Sequence, residues 1–245
     1  MPTIWTDWLH RLDAKIAIVG QDWGPISEIK RFSKLYTDTL KNHSKETIKE
    51  KIWQQLVRKP DGRTTRRMIH FLRMSAEQTG LHLPTNFMDE LFVTNAVLCA
   101  RQGNRYRGNE NYAPKASTNN CRQYLRRQIE IVKPAVVITL GAWSLWSFSQ
   151  FMDFEFHGKL TSKIESVNNT PPGYIKADLN GDRLAIVPVF HPAAIVSTEM
   201  HLRTYSYVWQ ALSDILNIPH DKLIQTCFPV SSQESDAFSN AVPTQ

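Results

Sequence analysis

The sequence predicts one three-layer α/β/α domain around a central, mainly parallel, four-stranded sheet. Three observations carry that prediction. Short β-branched runs recur along the chain, and each stops abruptly at Gly, Asn or His-Pro. Stretches with helical apolar spacing separate the runs, the alternation expected of a parallel sheet covered on both faces. Finally, 245 residues of which 42% are hydrophobic suffice to bury one substantial core, and α/β folds of this length are commonly single domains.

Ile16-Ala17-Ile18-Val19 reads as a buried strand that runs into the loop Gly20-Gln21-Asp22-Trp23-Gly24-Pro25, where glycines and a proline bound one carboxylate. Residues 26–60 are polar and helix-compatible, with Lys and Glu interspersed, and form an expected helical insertion or flap over the site. Residues 63–78 put Met68, Ile69, Leu72 and Met74 on one helix face that Gly80 terminates. Leu91-Phe92-Val93-Thr94 is a second strand. Ser117 or Thr118 is placed to cap a helix whose Leu125, Ile129 and Val132 point one way. Pro134 ends that helix, and Ala135-Val136-Val137-Ile138-Thr139-Leu140 returns as a strand into Gly141. A fourth strand, residues 184–190, meets His191-Pro192, and residues 205–216 supply a closing helix. Between the last two strands, residues 152–182 are rich in Asn, Gly and Pro and read as a loop or hairpin excursion. The domain is expected to span residues 1–228, and residues 229–245, rich in Ser, Gln, Pro and Thr, a disordered tail.

The charge balance, 29 Lys and Arg against 23 Asp and Glu, gives +6, which suits an anionic partner. Arginines occur in groups: Arg63, Arg66 and Arg67; Arg101, Arg105 and Arg107; Arg122, Arg126 and Arg127. On charge alone they read as solvated faces. Three cysteines with no CxxC pair argue against a disulfide framework and for the cytoplasm. No segment approaches the roughly 18 uninterrupted apolar residues of a membrane span, so no membrane partner is expected.

In an open parallel sheet the C-terminal strand ends share one crevice. Here they would bring Asp22, Asn95, Gly141 and His191 together, a carboxylate, a carboxamide and an imidazole suited to a ligand with hydrogen-bonding edges. These residues resemble the uracil-DNA glycosylase superfamily. Gly20-Gln21-Asp22-Trp23-Gly24-Pro25 is similar to its first motif, and His191-Pro192-Ala193-Ala194-Ile195 to its second, which opens the loop that enters DNA. The stretch from Val93 through Asn95, Cys99 and Arg105, with Cys121 and residues 132–141, is similar to the iron-sulfur branch. That branch uses four cysteines, two of them before the first motif, where this chain has none. No cofactor and no metal are therefore expected, with Cys99 and Cys121 left as buried thiols.

The resemblance implies a monofunctional DNA glycosylase that hydrolyses the N-glycosidic bond of a pyrimidine flipped out of DNA, acting as a monomer. It makes Asp22 the residue that positions the water and His191 the hydrogen-bond donor to the departing base. Gln21, Trp23, Gly24 and Asn95 would bind the base, Asn95 offering its amide to the Watson–Crick edge. Arg101, Arg105 and Arg107 would hold phosphate, with Met200 and Leu202 as wedges and Arg203 on phosphate in the loop after His191. Trp23, Phe32 and Tyr36 are candidates for stacking on the base. Gly24 stands where uracil-specific relatives carry a tyrosine that blocks a 5-methyl group. The expected substrate is therefore uracil or a 5-substituted or hypermodified pyrimidine, the latter implying defence against phage DNA. Two rivals are a catalytically silent DNA-binding relative and a small-molecule α/β hydrolase. The second lacks a Gly-x-Ser-x-Gly elbow and a dinucleotide fingerprint.

Overall fold

Ile16, Ala17, Ile18 and Val19 are each 2% exposed or less, so this strand is covered on both faces and must lie inside the sheet. It is β1 (Ile16–Gly20) of a computed structural model that describes residues 11–21, 63–97, 114–154 and 160–229. β1 pairs in parallel with β2 (Leu91–Asn95) on one side and with β3 (Val136–Leu140) on the other, and β3 pairs in parallel with β5 (Asp182–Val189). The expected insertion at 26–60 and tail at 229–245 fall, but for residue 229, outside the described residues, as does the reading of Trp23, Phe32 and Tyr36.

The sheet has five strands rather than the four expected, in the order β2-β1-β3-β5-β4. The extra strand, β4 (Ile175–Leu179), lies in the 152–182 excursion and pairs antiparallel with β5. Asn180-Gly181 closes the hairpin between Leu179 and Asp182, with φ of 57° and 88°. Two consecutive positive φ values suit Asn-Gly and match the right-handed twist of the flanking strands. β4 alternates half-buried and exposed residues along Ile-Lys-Ala-Asp, the mark of an edge strand with one wet face.

Helices cover both faces. On one side α1 (Arg63–Gln78) packs against α5 (Thr198–Leu216), and Met68, Phe71, Leu72, Tyr205, Val208 and Trp209 form a core with Ile16, Ile18, Ile138 and Val187. On the other, α2 (Pro114–Val132) and α3 (Ala142–Phe148) bury Leu125, Ile129, Leu145 and Phe148 against Ala17, Val19 and Val137. Alternating sheet residues thus serve opposite cores, as strand geometry requires. α4 (Leu160–Asn168) precedes the hairpin and α6 (Leu223–Cys227) closes the described chain.

Two helix starts differ from the sequence reading. α2 begins at Pro114, not at a Ser117 or Thr118 cap, and Thr118 is buried. Proline suits a first helical turn, where its missing N–H costs no hydrogen bond. α5 begins at Thr198, well before residue 205. Ser197 caps it by accepting a hydrogen bond from the Met200 amide at 3.2 Å, and Glu199 complements the helix dipole in the first turn. Among the described residues no helix is long and apolar enough to cross a membrane.

Candidate active site

Strand order sets the site. The crossover from β1 leads to β2 and the crossover from β3 leads the other way, to β5, so the chain parts above the C-terminal ends of β1 and β3. Open α/β sheets place ligands at such a point. Along this rim stand, in spatial order, Asn95, Gly20, Gly141 and His191.

Gly20 is the register partner of Asn95. A Cβ on Gly20 would lie 2.2 Å from Asn95 Oδ1, so only glycine lets the carboxamide lie across the end of β1. The ladder continues beyond the strands: Ala96 N–H donates to Gly20 O at 2.8 Å and Val97 N–H to Gln21 O at 2.9 Å. Gln21 is therefore held, half-buried, at the mouth of the crevice, and the next residue in the chain is Asp22.

Gly141 ends β3 with φ 83°, a left-handed conformation that favours glycine. Its N–H donates to Val189 O at 2.9 Å, and a Cβ here would come within 3.3 Å of His191 Cβ. The second glycine thus admits the root of the His191 side chain as the first admits the carboxamide. Beyond β5 the chain turns at once. Ala194 N–H donates to His191 O at 2.7 Å and Ala193 N–H donates to His191 Nδ1 at 3.2 Å. A neutral imidazole that accepts at Nδ1 carries its proton on Nε2, where it acts as a donor. Two strand spacings, about 10 Å, separate the chain leaving β1 from the chain leaving β5.

Gln21, Asn95 and His191 thus share one rim. Asp22, Trp23, Gly24, Arg101, Arg105 and Arg107 lie outside the described residues. Met200, Leu202 and Arg203 belong to the first turns of α5 rather than to the loop after His191. Met200 and Leu202 are half-buried, Leu202 against the core. The Arg203 guanidinium donates to Asn169 Oδ1 at 2.6 Å. The loop itself, residues 191–197, instead presents Ile195, whose side chain is wholly exposed at 104%. The sequence reading named it only as the last residue of the second motif and gave it no role, although an aliphatic residue in a short segment between a strand-end His-Pro and a helix cap carries a signal of its own.

A family model described as the Uracil DNA glycosylase superfamily matches residues 8–215. The chain belongs to that superfamily. Similar proteins include the type-4 uracil-DNA glycosylase of Saccharolobus solfataricus, 29% identical over 106 residues, which are 43% of this chain and 43% of that protein. Those of Archaeoglobus fulgidus (24% over 110 residues, 44% and 47%) and Sulfurisphaera tokodaii (30% over 107 residues, 43% and 42%) are also similar. In each case the matched stretch spans less than half the relative's length.

For this superfamily member the relatives overturn one expectation, that no cofactor is present, because type-4 enzymes form the iron-sulfur branch. The described cysteines do not by themselves fit a four-cysteine cluster. Cys227 is buried in the core beneath α1 and α5, while Cys121 is buried on α2, one turn before Leu125 and across the sheet. Cys99 lies outside the described residues. Among the described residues no group of three or more His, Cys, Asp or Glu gathers to hold a metal.

Proposed function

We propose that this protein is a DNA glycosylase that hydrolyses the N-glycosidic bond of a pyrimidine flipped out of DNA, leaving an abasic site. The observation that carries this reading is the pair of close approaches at the rim. Asn95 Oδ1 lies over Gly20 and His191 Cβ over Gly141, which sets a carboxamide and an imidazole at one rim beside the chain that leads to Asp22. Breaking the bond between the sugar and N1 leaves positive charge on the sugar and negative charge on the base. His191 donates from Nε2 to the pyrimidine O2 as that charge develops, and the backbone at Gln21 adds a second anion-stabilising contact. Asp22 orients the attacking water and favours the cationic sugar, a role worth typically 10²–10⁴-fold.

Asn95 reads the base through its donor and its acceptor. Trp23 and Gly24 bind the base with it, and Gly24 carries no side chain to exclude a 5-substituent. The substrate is uracil or a modified pyrimidine, the second belonging to defence against phage DNA. Extruding a base costs a few kcal/mol, offset when an apolar side chain fills the gap. Ile195, fully exposed on the loop after His191, suits that task better than Met200 or Leu202. Arg101, Arg105 and Arg107 hold phosphates, and the protein works as a monomer.

Duplexes carrying uracil, thymine or glucosylated hydroxymethylcytosine, treated with alkali after incubation, test the reading. Strand scission at uracil places the protein in repair, and scission at the glucosylated base places it in defence. Asp22→Asn lowers scission by about 10²-fold or more while duplex binding stays unchanged. Tight DNA binding with no scission at any base would reject the enzyme in favour of a silent DNA-binding relative.

A further inference from the structure

Beneath the His191 loop lies a column of rings with no part in the chemistry above. His201, on α5, is fully buried and stacks on Phe71 of α1, with centroids 4.3 Å apart and planes 12° from parallel. Phe190, immediately before His191, meets the same imidazole edge-on at 6.3 Å and 84°. At the outer end the Arg67 guanidinium sits 5.5 Å over the Phe71 ring. The column Arg67–Phe71–His201–Phe190 therefore runs from the surface of α1 to the residue that aims His191.

A histidine here is costly. Neither ring nitrogen has a hydrogen-bond partner among the described residues, and an unsatisfied buried polar group costs roughly 1–3 kcal/mol. Stability alone favours leucine or phenylalanine in its place. Ala194, on the underside of the His191 loop, brings its backbone against the ring, outside hydrogen-bond geometry but close enough to act on it electrostatically.

We propose that His201 is a positioning residue, a flat neutral slab between Phe71 and Phe190 that holds the His191 loop in register, and that a proton on this ring loosens the loop. The proposal rests on the glycosylase reading for its kinetic consequence, but not for its structural one. Arg67, reaching the column from α1, opposes a second positive charge there. His191 faces the ring from the loop, and the Tyr205 hydroxyl, one turn on along α5, is itself without a partner among the described residues. Burial, followed by Arg67 and His191, pushes the imidazole below its ordinary range against the opposing pull of Ala194.

Two variants and two readouts test this. His201→Ala removes the slab. It is expected to lower kcat about 10²-fold, the penalty of a roughly 1 Å misplacement, with KM unchanged, and to broaden and shift the His191 ring resonances in ¹⁵N NMR spectra. His201→Phe keeps the slab but takes no proton. It is expected to recover most of the lost kcat at pH 8 and to remove one proton from the acid limb of the kcat profile. Wild-type kcat in a folded His201→Ala variant with unmoved His191 resonances would overturn the proposal, as would a His201→Phe acid limb identical to wild type. If the wild-type protein excises no base, the glycosylase reading fails alone. The His191 resonances of His201→Ala, and their pH dependence in wild type against His201→Phe, then decide the positioning role.

Discussion

At Gly20 a single methyl group decides where the Asn95 carboxamide can lie. Its missing Cβ makes the space in which Asn95 Oδ1 lies. The clash in Gly20→Ala falls on the far end of a rotatable side chain, so the carboxamide turns away and the backbone stays. Alanine also restricts the unfolded chain more than glycine does, so global stability should change by less than about 1 kcal/mol. On the proposed function, excision should nevertheless fall about 10²-fold, because an Asn95 amide moved by about 1 Å would no longer match the bound base. Urea unfolding and single-turnover excision on one preparation check the two halves, and a variant that keeps full activity would remove Asn95 from base reading. Asn95 and His191 were legible in the sequence because each follows a β-branched run, so topology alone takes them to the rim. Gly20 and Gly141 were legible only as punctuation. Their steric roles depend on a neighbour a strand away, which no local pattern encodes. Two arginines of α2 take the bland reading: Arg126 and Arg127 reach Glu130 at 2.8 and 3.3 Å, and Arg126 foremost holds that carboxyl below its usual range.

Elements were legible to the extent that their signals were local. β1, α1, β2 and β3 fall where apolar periodicity and the Gly80 and Pro134 stops put them. The β4 hairpin escaped as a strand because its one wet face carries Lys176 and Asp178 in place of an apolar run, although Asn180-Gly181 announces the turn. α5 was read short because its first turns mix Thr, Glu and His. His201 is buried there against Phe71 of α1 and Phe190 rather than by apolar patterning, and the buried Thr204 hydroxyl donates to the His201 carbonyl. The α1–α5 seam is polar as well as apolar. Trp209 Nε1–H donates to Ser75 Oγ at 3.0 Å, and Ser75 Oγ–H donates to Leu72 O at 3.0 Å, all buried. Phe71 and Ser75 are one turn apart on α1, and they meet His201 and Trp209, two turns apart on α5, so one seam carries both the ring column and this link. Trp209→Phe removes the donor and opens a small void, which together should cost about 2–3 kcal/mol. Chemical denaturation measures that loss, and a cycle with Ser75→Ala should return a coupling of about 1 kcal/mol.

At the scale of the molecule, the His191 loop rests on a helix pair whose packing buries a histidine ring between Phe71 and Phe190. That ties global stability to pH with a defined sign. In the unfolded chain the ring titrates near about 6.5, whereas in the folded protein burial, Arg67 and His191 hold it lower. Between those values the unfolded state binds the extra proton, so stability is fully present above about pH 6.5 and is lost as pH falls through the folded value. One such group imposes a slope of at most about 1.4 kcal/mol per pH unit. The half-buried carboxyl of Glu90 acts in the opposite direction. Its folded value is raised, chiefly by burial against the opposing pull of Arg11, so stability is gained as pH falls through that raised value. Taking the difference between wild type and His201→Phe isolates this one ring from the other seven histidines of the chain. Urea midpoints at half-unit steps from pH 8 to pH 5 should fall more steeply for wild type, with the curves diverging as pH drops below about 6.5. Parallel curves would mean that His201 is protonated as readily in the fold as in the unfolded chain, and the neutral slab under the His191 loop would have to be abandoned.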